Sequence, residues 1–548
     1  MQIVECVPNI SEGRRKEVYD AIAQAAAAVP GVRLLDVDPG RETNRTVITF
    51  VGEPEAVLEG AFQLIRASLG LIDMREHRGA HARMGAADVV PFVPVSGVTM
   101  DDCVALAHRL GRRVGDELGV PVYLYEYAAM RPDRQSLAAI RKGEYEALPR
   151  KLQDPDFAPD YGPAEFVPKF GATVIGARKF LVAYNVNLNA TDKRWANRVA
   201  FDVREKGRTV TGADGRSVEQ PGLLKAVRGV GWYIPEYGCA QVSLNLTDLD
   251  TTPLHVAFDA CEASAGARGI RVTGSELVGL VPKQSILDAG RHYLRRMERS
   301  AGVPVADLEK VAIRTLGLDD VARFEPGEKI IEDILAPARP LASLTVQGFA
   351  DETSRDSTAP GGGSVAALAG ALGAALAAMV ANLAHPKPAF RAAREELEAV
   401  AVRGQELKQR LLDAIDEDTW AFQRLMAASS SGDEGALRAA TLHAAEVPLT
   451  VAEACPEIAA LCRRALAIGL AASASDAGVG AGMARAAAVG AAMNVVINLQ
   501  GMTADAGVAD MRRRAEDAVR QTAAIADDVE RQVWQRLRAE VEREVKDS

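Results

Sequence analysis

The sequence predicts a multidomain protein, two α/β subdomains of βαββαβ order followed by an all-α helical domain. Three observations carry this. At about 100–200 residues per domain, 548 residues allow three to five folding units. Of the 26 prolines, 21 fall at or before Pro340, and about a quarter of residues 341–548 is alanine, the strongest helix former. Within the first half, one order of elements occurs twice.

In order, Ile3–Val7 reads as a strand, Arg14–Val29 as a helix, Arg33–Val37 and Thr46–Val51 as strands, Ala56–Ile72 as a helix and Val89–Val95 as a strand. The order recurs after Gly176: strand Phe180–Leu188, helix Asp192–Lys206, strands Ala226–Tyr233 and Ala240–Leu246, helix Pro253–Gly269 and strand Arg271–Leu280. Such a repeat places helices on one face of each sheet and leaves the other faces to pack together or line a cleft. Ser11 reads as an N-cap for the first helix, and Pro39-Gly40 as a turn. Pro337 and Pro340 stop any helix from running into the second half and mark a linker.

Composition narrows the class. Hydrophobic residues are 48% and charged residues 25%, the balance of a soluble globular enzyme. The formal net charge of −10 gives no electrostatic footprint for nucleic acid. No apolar run is read as reaching the ~18 residues of a membrane span, and Gln2-Ile3-Val4-Glu5 is no basic-then-apolar leader. Six scattered cysteines without a Cys-x-x-Cys pair predict reduced thiols in a cytoplasm and no structural zinc.

Among seven histidines, His108, His292 and His443 fall inside helical patterns, and His255 and His385 at helix boundaries. His77 and His81 differ, lying in the glycine-containing segment Met74–Gly85 ahead of a β-rich run. A loop beside a strand can present an imidazole to a ligand, and imidazole titrates near neutrality, as proton transfer between amines requires. The plain alternative is a solvated loop histidine. Their i, i+4 spacing also suits two metal ligands on a helix, which Gly79 disfavours and which lacks the Glu of a zincin motif. Asp38, at a strand end, can orient a histidine or simply open a turn.

Gly162–Thr173 is a loop rich in aromatic and special-backbone residues, where Phe166 and Phe170 can sandwich a flat heterocycle and Lys169, with Arg178 and Lys179, can hold carboxylates. It reads equally as a connector pinned by its aromatics. Gly361, Gly362, Gly363 and Ser364 lead into the helical run Val365–Leu383, a helix start that favours an anion but lacks the Gly-Lys-Ser/Thr of a nucleotide loop, and that reads equally as a tight helix entry without a ligand. In Asp416–Phe422, Asp418 shares a helix face with Phe422 while Glu417 faces water, so Asp418 reads either as a partly buried carboxyl, whose pKa burial would raise, or as part of an ordinary solvated helix face. Ser475, Asp476, Asn494 and Asn498 interrupt Ala/Gly/Val-rich helices and must pair across an interface or bind a ligand.

In order along the chain, Val4–Gly13, Leu35–Asp38, Thr43–Thr46, Arg75–Gly85, Pro121–Tyr125, Arg141–Pro149, Phe166–Thr173, Val230–Tyr233, Ala359–Ser364, Asp416–Phe422 and Asn494–Leu499 resemble the formimidoyltransferase–cyclodeaminase family, bifunctional folate enzymes of histidine degradation. The resemblance spans essentially the whole sequence, departing at Arg208–Glu219, where extra residues occur. It implies transferase subdomains at residues 1–178 and 179–327, a linker at 328–341 and an all-α cyclodeaminase at 342–548. It also implies His81 as the transferase histidine, Asp38 as its partner and Asp418 as the cyclodeaminase carboxylate. Gly162, Pro163, Ala164, Glu165, Phe166, Val167, Pro168, Lys169, Phe170 and Gly171 match the folate-binding loop. The substrates implied are N-formimidoyl-L-glutamate and tetrahydrofolate (polyglutamate), with Lys169 and Gly361–Gly363 as candidate tail contacts. No metal, nucleotide, nucleic acid or membrane partner is expected, and a homo-oligomer through both domains is. The alternative is an active formimidoyl- or formyltransferase whose helical half serves only oligomerisation.

Overall fold

The computed structural model describes residues 2–547 except 42, 80, 212–215, 337, 358 and 503–505. The proposed linker residue Pro337 therefore lies outside the described residues. The chain forms two compact units, residues 1–282 with 329–332, and residues 283–328 with 333–548.

In the first unit the strands are β1 (Ile3–Cys6), β2 (Asn9–Ile10), β3 (Val32–Gly40), β4 (Arg45–Gly52), β5 (Ala87–Ser96), β6 (Val122–Glu126), β7 (Thr173–Ala177), β8 (Val182–Leu188), β9 (Arg208–Thr211), β10 (Ser217–Gln220), β11 (Val227–Ile234), β12 (Cys239–Leu246) and β13 (Val272–Val278). Its helices are α1 (Lys16–Ala27), α2 (Pro54–Leu71), α3 (Met100–Leu118), α4 (Leu137–Arg141), α5 (Glu144–Lys151), α6 (Lys193–Val203) and α7 (Leu254–Gly266). The repeat read from the sequence is present in three dimensions. The second sheet runs β11-β12-β8-β13, and the first contains the same path as β3-β4-β1-β5, antiparallel throughout. The first sheet continues beyond the repeat through β7 and β6, both parallel to β5. A parallel neighbour needs a long crossover, which α3 supplies between β5 and β6. At the extra stretch Arg208–Glu219, β9 pairs antiparallel with β10.

Alternation along β1 sends Val4 and Cys6 into the core shared with α1 and α2, and Glu5 to the other face. The uncovered faces of the two sheets line a cavity of about 470 Å³ that includes Glu5, Asp36, Arg178, Leu181 and Lys329. Two local expectations change. Ser11 does not cap α1, whose N-cap is Arg15; its buried hydroxyl donates to the Gly85 carbonyl at 2.7 Å, a long-range tie. Pro39-Gly40 is not a turn but the end of β3, still paired with Thr46 and Arg45.

The second unit is helical: α8 (Lys283–Arg296), α9 (Val305–Leu316), α10 (Pro326–Lys329) and α11 (Ile331–Leu335) at the join, then α12 (Val346–Thr353), α13 (Gly362–Ala384), α14 (Arg394–Ser431), α15 (Glu434–Ile468), α16 (Ala474–Asn498) and α17 (Ala506–Asp547). Asp416 is buried in α14 and accepts the N–H groups of Leu341 and Ala342 at 2.9 and 3.0 Å, fixing where the chain enters the bundle. The core is largely alanine, since small side chains let helix backbones approach closely. One expectation is overturned. Gly362–Ala384 and Ala471–Asn498 are long and apolar enough to cross a membrane by length and composition. A run of alanines carries enough hydropathy to pass that test, yet most of α13 is buried among neighbouring helices.

Candidate functional site

The segment between α2 and β5 carries both weighed histidines, and Asn44 at the start of β4 holds it. The Asn44 side chain accepts from Gly13 N–H at 3.0 Å and donates to the Arg78 carbonyl at 3.1 Å. His77 is buried; its Nε2 donates to the Asn44 carbonyl at 2.8 Å, and its Nδ1 accepts from Arg83 Nε at 3.3 Å. Both ring nitrogens are spent, and burial pushes its pKa down. His77 is a neutral structural pin.

His81 is half-buried, and its Nδ1 donates to the neighbouring Ala82 carbonyl at 2.7 Å. A carbonyl can only accept, so Nδ1 carries the hydrogen and Nε2 keeps its lone pair, the tautomer a general base needs. That orienting task had been expected of Asp38. Asp38 is instead exposed, opposite Val47 near the end of β3, and no hydrogen bond joins it to His81 among the described residues. The backbone has taken the role.

The loop 162–171 meets the His81 segment along both its ends. Met74 N–H donates to the Lys169 carbonyl at 2.9 Å, Ala86 N–H to Phe170 at 2.8 Å and Ala172 N–H to Met84 at 3.1 Å. Gly171 pairs with Gly85 at φ +84°, and a side chain there would strike the Met84 carbonyl. The aromatic sandwich is not formed. Pairing at Gly85 turns Phe170 fully into the core beneath the sheet, while Phe166 stacks on Tyr145 with centroids 5.4 Å apart. Lys169 is not poised for a folate tail either, because its amine donates to the Gly70 carbonyl at 2.7 Å. The last carbonyls of α2 have no partner within the helix and sit at its negative end, a natural place for a lysine. Lys179 is likewise committed, to Asp248 at 2.7 Å. Gly162, Ala164, Glu165 and Pro168 of the loop are exposed, Pro163, Phe166, Val167 and Lys169 partly so.

In the helical unit, separate sequence features become one site. Asp418 projects from α14 onto the first turn of α13. Its Oδ2 accepts from Ser364 Oγ at 3.1 Å, and the Ser364 N–H also donates to the carboxylate. A Cβ on Gly363 would collide with the Asp418 carboxylate, and one on Gly362 would come within 3.1 Å of Asn494 Nδ2. The glycines expected to receive an external anion thus receive the protein's own. Burial raises the Asp418 pKa, and the Ser364 donors offset this only in part.

The other candidates separate. Ser475 and Asp476 lie in the first turn of α16, 18 or more residues before Asn494, or about 27 Å along the helix axis. They do not belong to the Asp418 site. Asn498 donates to the Ala444 carbonyl at 2.7 Å. That carbonyl would normally accept from residue 448, which is Pro448 and has no N–H, so Asn498 repairs a gap in α15.

A histidine with a fixed tautomer in the first unit and a desolvated carboxyl in the helical unit are the two candidate acid–base groups of an enzyme. The chain belongs to the formimidoyltransferase-cyclodeaminase family. Family models match along it in turn: "Formiminotransferase domain, N-terminal subdomain" at residues 3–178, "Formiminotransferase domain" at 183–336 and "Formiminotransferase-cyclodeaminase" at 345–517. It is 45% identical over 514 residues to the formimidoyltransferase-cyclodeaminase of Gallus gallus, covering 92% of this chain and 93% of that one. The Sus scrofa protein of the same name is 44% identical over 545 residues, covering 96% and 99%. The glutamate formimidoyltransferase of Thermoplasma acidophilum is 41% identical over 317 residues, 55% of this chain and 100% of that one.

Proposed function

We propose that this chain transfers the formimidoyl group of N-formimidoyl-L-glutamate to N5 of tetrahydrofolate and then cyclises the product to 5,10-methenyltetrahydrofolate, releasing ammonia. The observation that carries the reading is the free Nε2 of His81, held ready by the Ala82 carbonyl beside the loop 162–171. N5 attacks the formimidoyl carbon, its proton passes to Nε2, and the imidazolium returns a proton to the departing glutamate nitrogen as the C–N bond breaks. In the second step N10 attacks the same carbon and closes the ring, and the N10 proton passes to the former imine nitrogen. The Asp418 carboxyl, protonated at higher pH than an ordinary aspartate, gives a proton to the nitrogen that leaves as ammonia. Both steps end with a proton delivered to a departing nitrogen.

The reading places the enzyme in a cytoplasm, and six cysteines, none of them in a disulfide among the described residues and five of them buried, support a reducing compartment. Self-association through the helical half is supported by an exposed apolar ridge on α13, Val365, Leu372, Met379 and Leu383, at coiled-coil spacing. The test mixes purified protein, tetrahydrofolate and N-formimidoyl-L-glutamate and follows ammonia and the near-ultraviolet absorbance of the methenyl product. N-formyl-L-glutamate run in parallel separates the formyl-donor alternative, since it can yield no ammonia.

A further inference from the structure

Two segments that the two proton-transfer steps leave unused meet at one buried residue. Thr43–Thr46 contributes Arg45 at the start of β4, and Arg141–Pro149 contributes Arg141 at the end of α4. Between them lies Asp88, which a bulge sets apart. Ile10 pairs with Ala87 and Asn9 with Val89, so Asp88 is the extra residue of β5. Bulges of this kind re-aim a side chain beside functional sites.

Asp88 is fully buried; it accepts the Met84 N–H at 2.7 Å and forms an ion pair with Arg141, while Arg45 and Arg141 both act on its charge. One carboxylate faces two guanidinium groups, leaving a positive charge in surplus. The Nε atoms of Arg45 and Arg141 are buried and donate to no acceptor among the described residues. Arg45 forms no hydrogen bond through its side chain at all among these residues. Buried donors of this kind are costly unless something accepts from them.

The place of the cluster decides what that acceptor is. Met84 is three residues after His81, a span of at most about 10 Å. Asn44, next to Arg45, holds His77 and Arg78. Tyr145, four residues after Arg141, donates its N–H to the Arg83 carbonyl at 2.9 Å and its hydroxyl to the Pro168 carbonyl at 2.6 Å. The two segments that carry the arginines thus both hold the His81 segment, through Asn44 and Tyr145. In the formimidoyl donor, the α-carboxylate sits on the carbon bonded to the leaving nitrogen, close to the reacting centre. In tetrahydrofolate, the p-aminobenzoyl group separates the tail carboxylates from N5.

We propose that Arg45 and Arg141, set by Asp88, form the carboxylate-binding subsite for the glutamate portion of the formimidoyl donor. The inference rests on the transferase reading. Planar guanidinium forks match a carboxylate in two-point contact, which a lysine does not reproduce. The subsite fixes the leaving nitrogen relative to His81 and is vacated when glutamate departs.

The test centres on Arg45→Gln in the full chain, since the Arg45 side chain donates to no acceptor among the described residues. The expected result is a KM for N-formimidoyl-L-glutamate raised at least tenfold, a kcat within threefold and an unchanged KM for tetrahydrofolate. Competitive inhibition by L-glutamate should weaken by the same factor, and Arg45→Lys should restore only part of it. Formamidine, an amidine donor without carboxylates, should react equally well with wild type and Arg45→Gln. Unchanged donor KM and glutamate inhibition would overturn the subsite, as would equal losses with formamidine. A melting curve accompanies each variant, and in wild type the α-amide and γ-amide of glutamate serve as inhibitors. Inhibition by both amides as strong as by glutamate also overturns the proposal. Failure of wild type to transfer the group at all would instead count against the transferase reading.

Discussion

The first unit and the helical unit solve one problem, holding a group that can move a proton near neutral pH, by opposite means. In the first, the group is an imidazole, a natural acid–base side chain, so the fold need only orient it. His81 stays half-exposed and one backbone carbonyl chooses its tautomer. In the second, an aspartate ionises far too easily when solvated, so the fold must desolvate it. Asp418 is pressed onto a helix start where only glycine fits. The histidine site tolerates a loop because orientation is local. The aspartate site needs close-packed helices because desolvation requires neighbours on every side.

This contrast predicts a crossover of effects. His81→Ala should lower formimidoyl transfer by about 10²–10⁴-fold, the usual weight of a positioned acid–base group, while supplied 5-formimidoyltetrahydrofolate is still cyclised at the wild-type rate. Asp418→Asn should do the reverse, and separate assays of glutamate release and methenyl absorbance would show it. If either variant lost both activities, the independence of the sites would be gone. Gly363→Ala should reduce only cyclisation, by about tenfold or more, because its methyl displaces the carboxylate of a residue worth that class of effect.

Buried carboxyls also give the first unit a pH signature. Burial pushes the Glu5 pKa up to about 7 from 4.5, with Arg178 opposing. An unfolded Glu5 ionises first as pH rises, so native stability is lost between about pH 4.5 and 7 and is intact below. Glu5→Gln should therefore leave stability unchanged near pH 4 and raise it by at most about 3 kcal/mol near pH 8. Urea melts at the two pH values would read this, and an equal gain at both would contradict it. The smallest effect belongs to Lys169→Ala, expected to cost about 0.3–1 kcal/mol through the lost contact with the end of α2, with the KM for folate unchanged. A raised KM would return Lys169 to the folate site.

Much of this was legible along the chain because it depends on local pattern. The doubled βαββαβ order and the alanine-rich helices follow from periodicity and propensity, and the individual strands and helices lie close to their expected ranges. Asp418 inward and Glu417 outward follow from helix geometry alone. The parallel strands β6 and β7 were not read, because partner choice in a sheet is not a local property.

Residue identity and spacing alone determined which side chains had the right chemistry: an imidazole in a polar loop, a carboxyl on an apolar helix, glycines before a helix. Only the tertiary structure decided which of them met. It spent His77 on Asn44 and Arg83, Phe170 on the core, Lys169 on α2 and Asn498 on the gap above Pro448. It also brought Gly363 to Asp418 and Arg141 to Asp88, 55 and 53 positions apart. A buried hydrogen bond or ion pair is satisfied by whatever the fold delivers to it, however distant in sequence, and no local pattern records that partner.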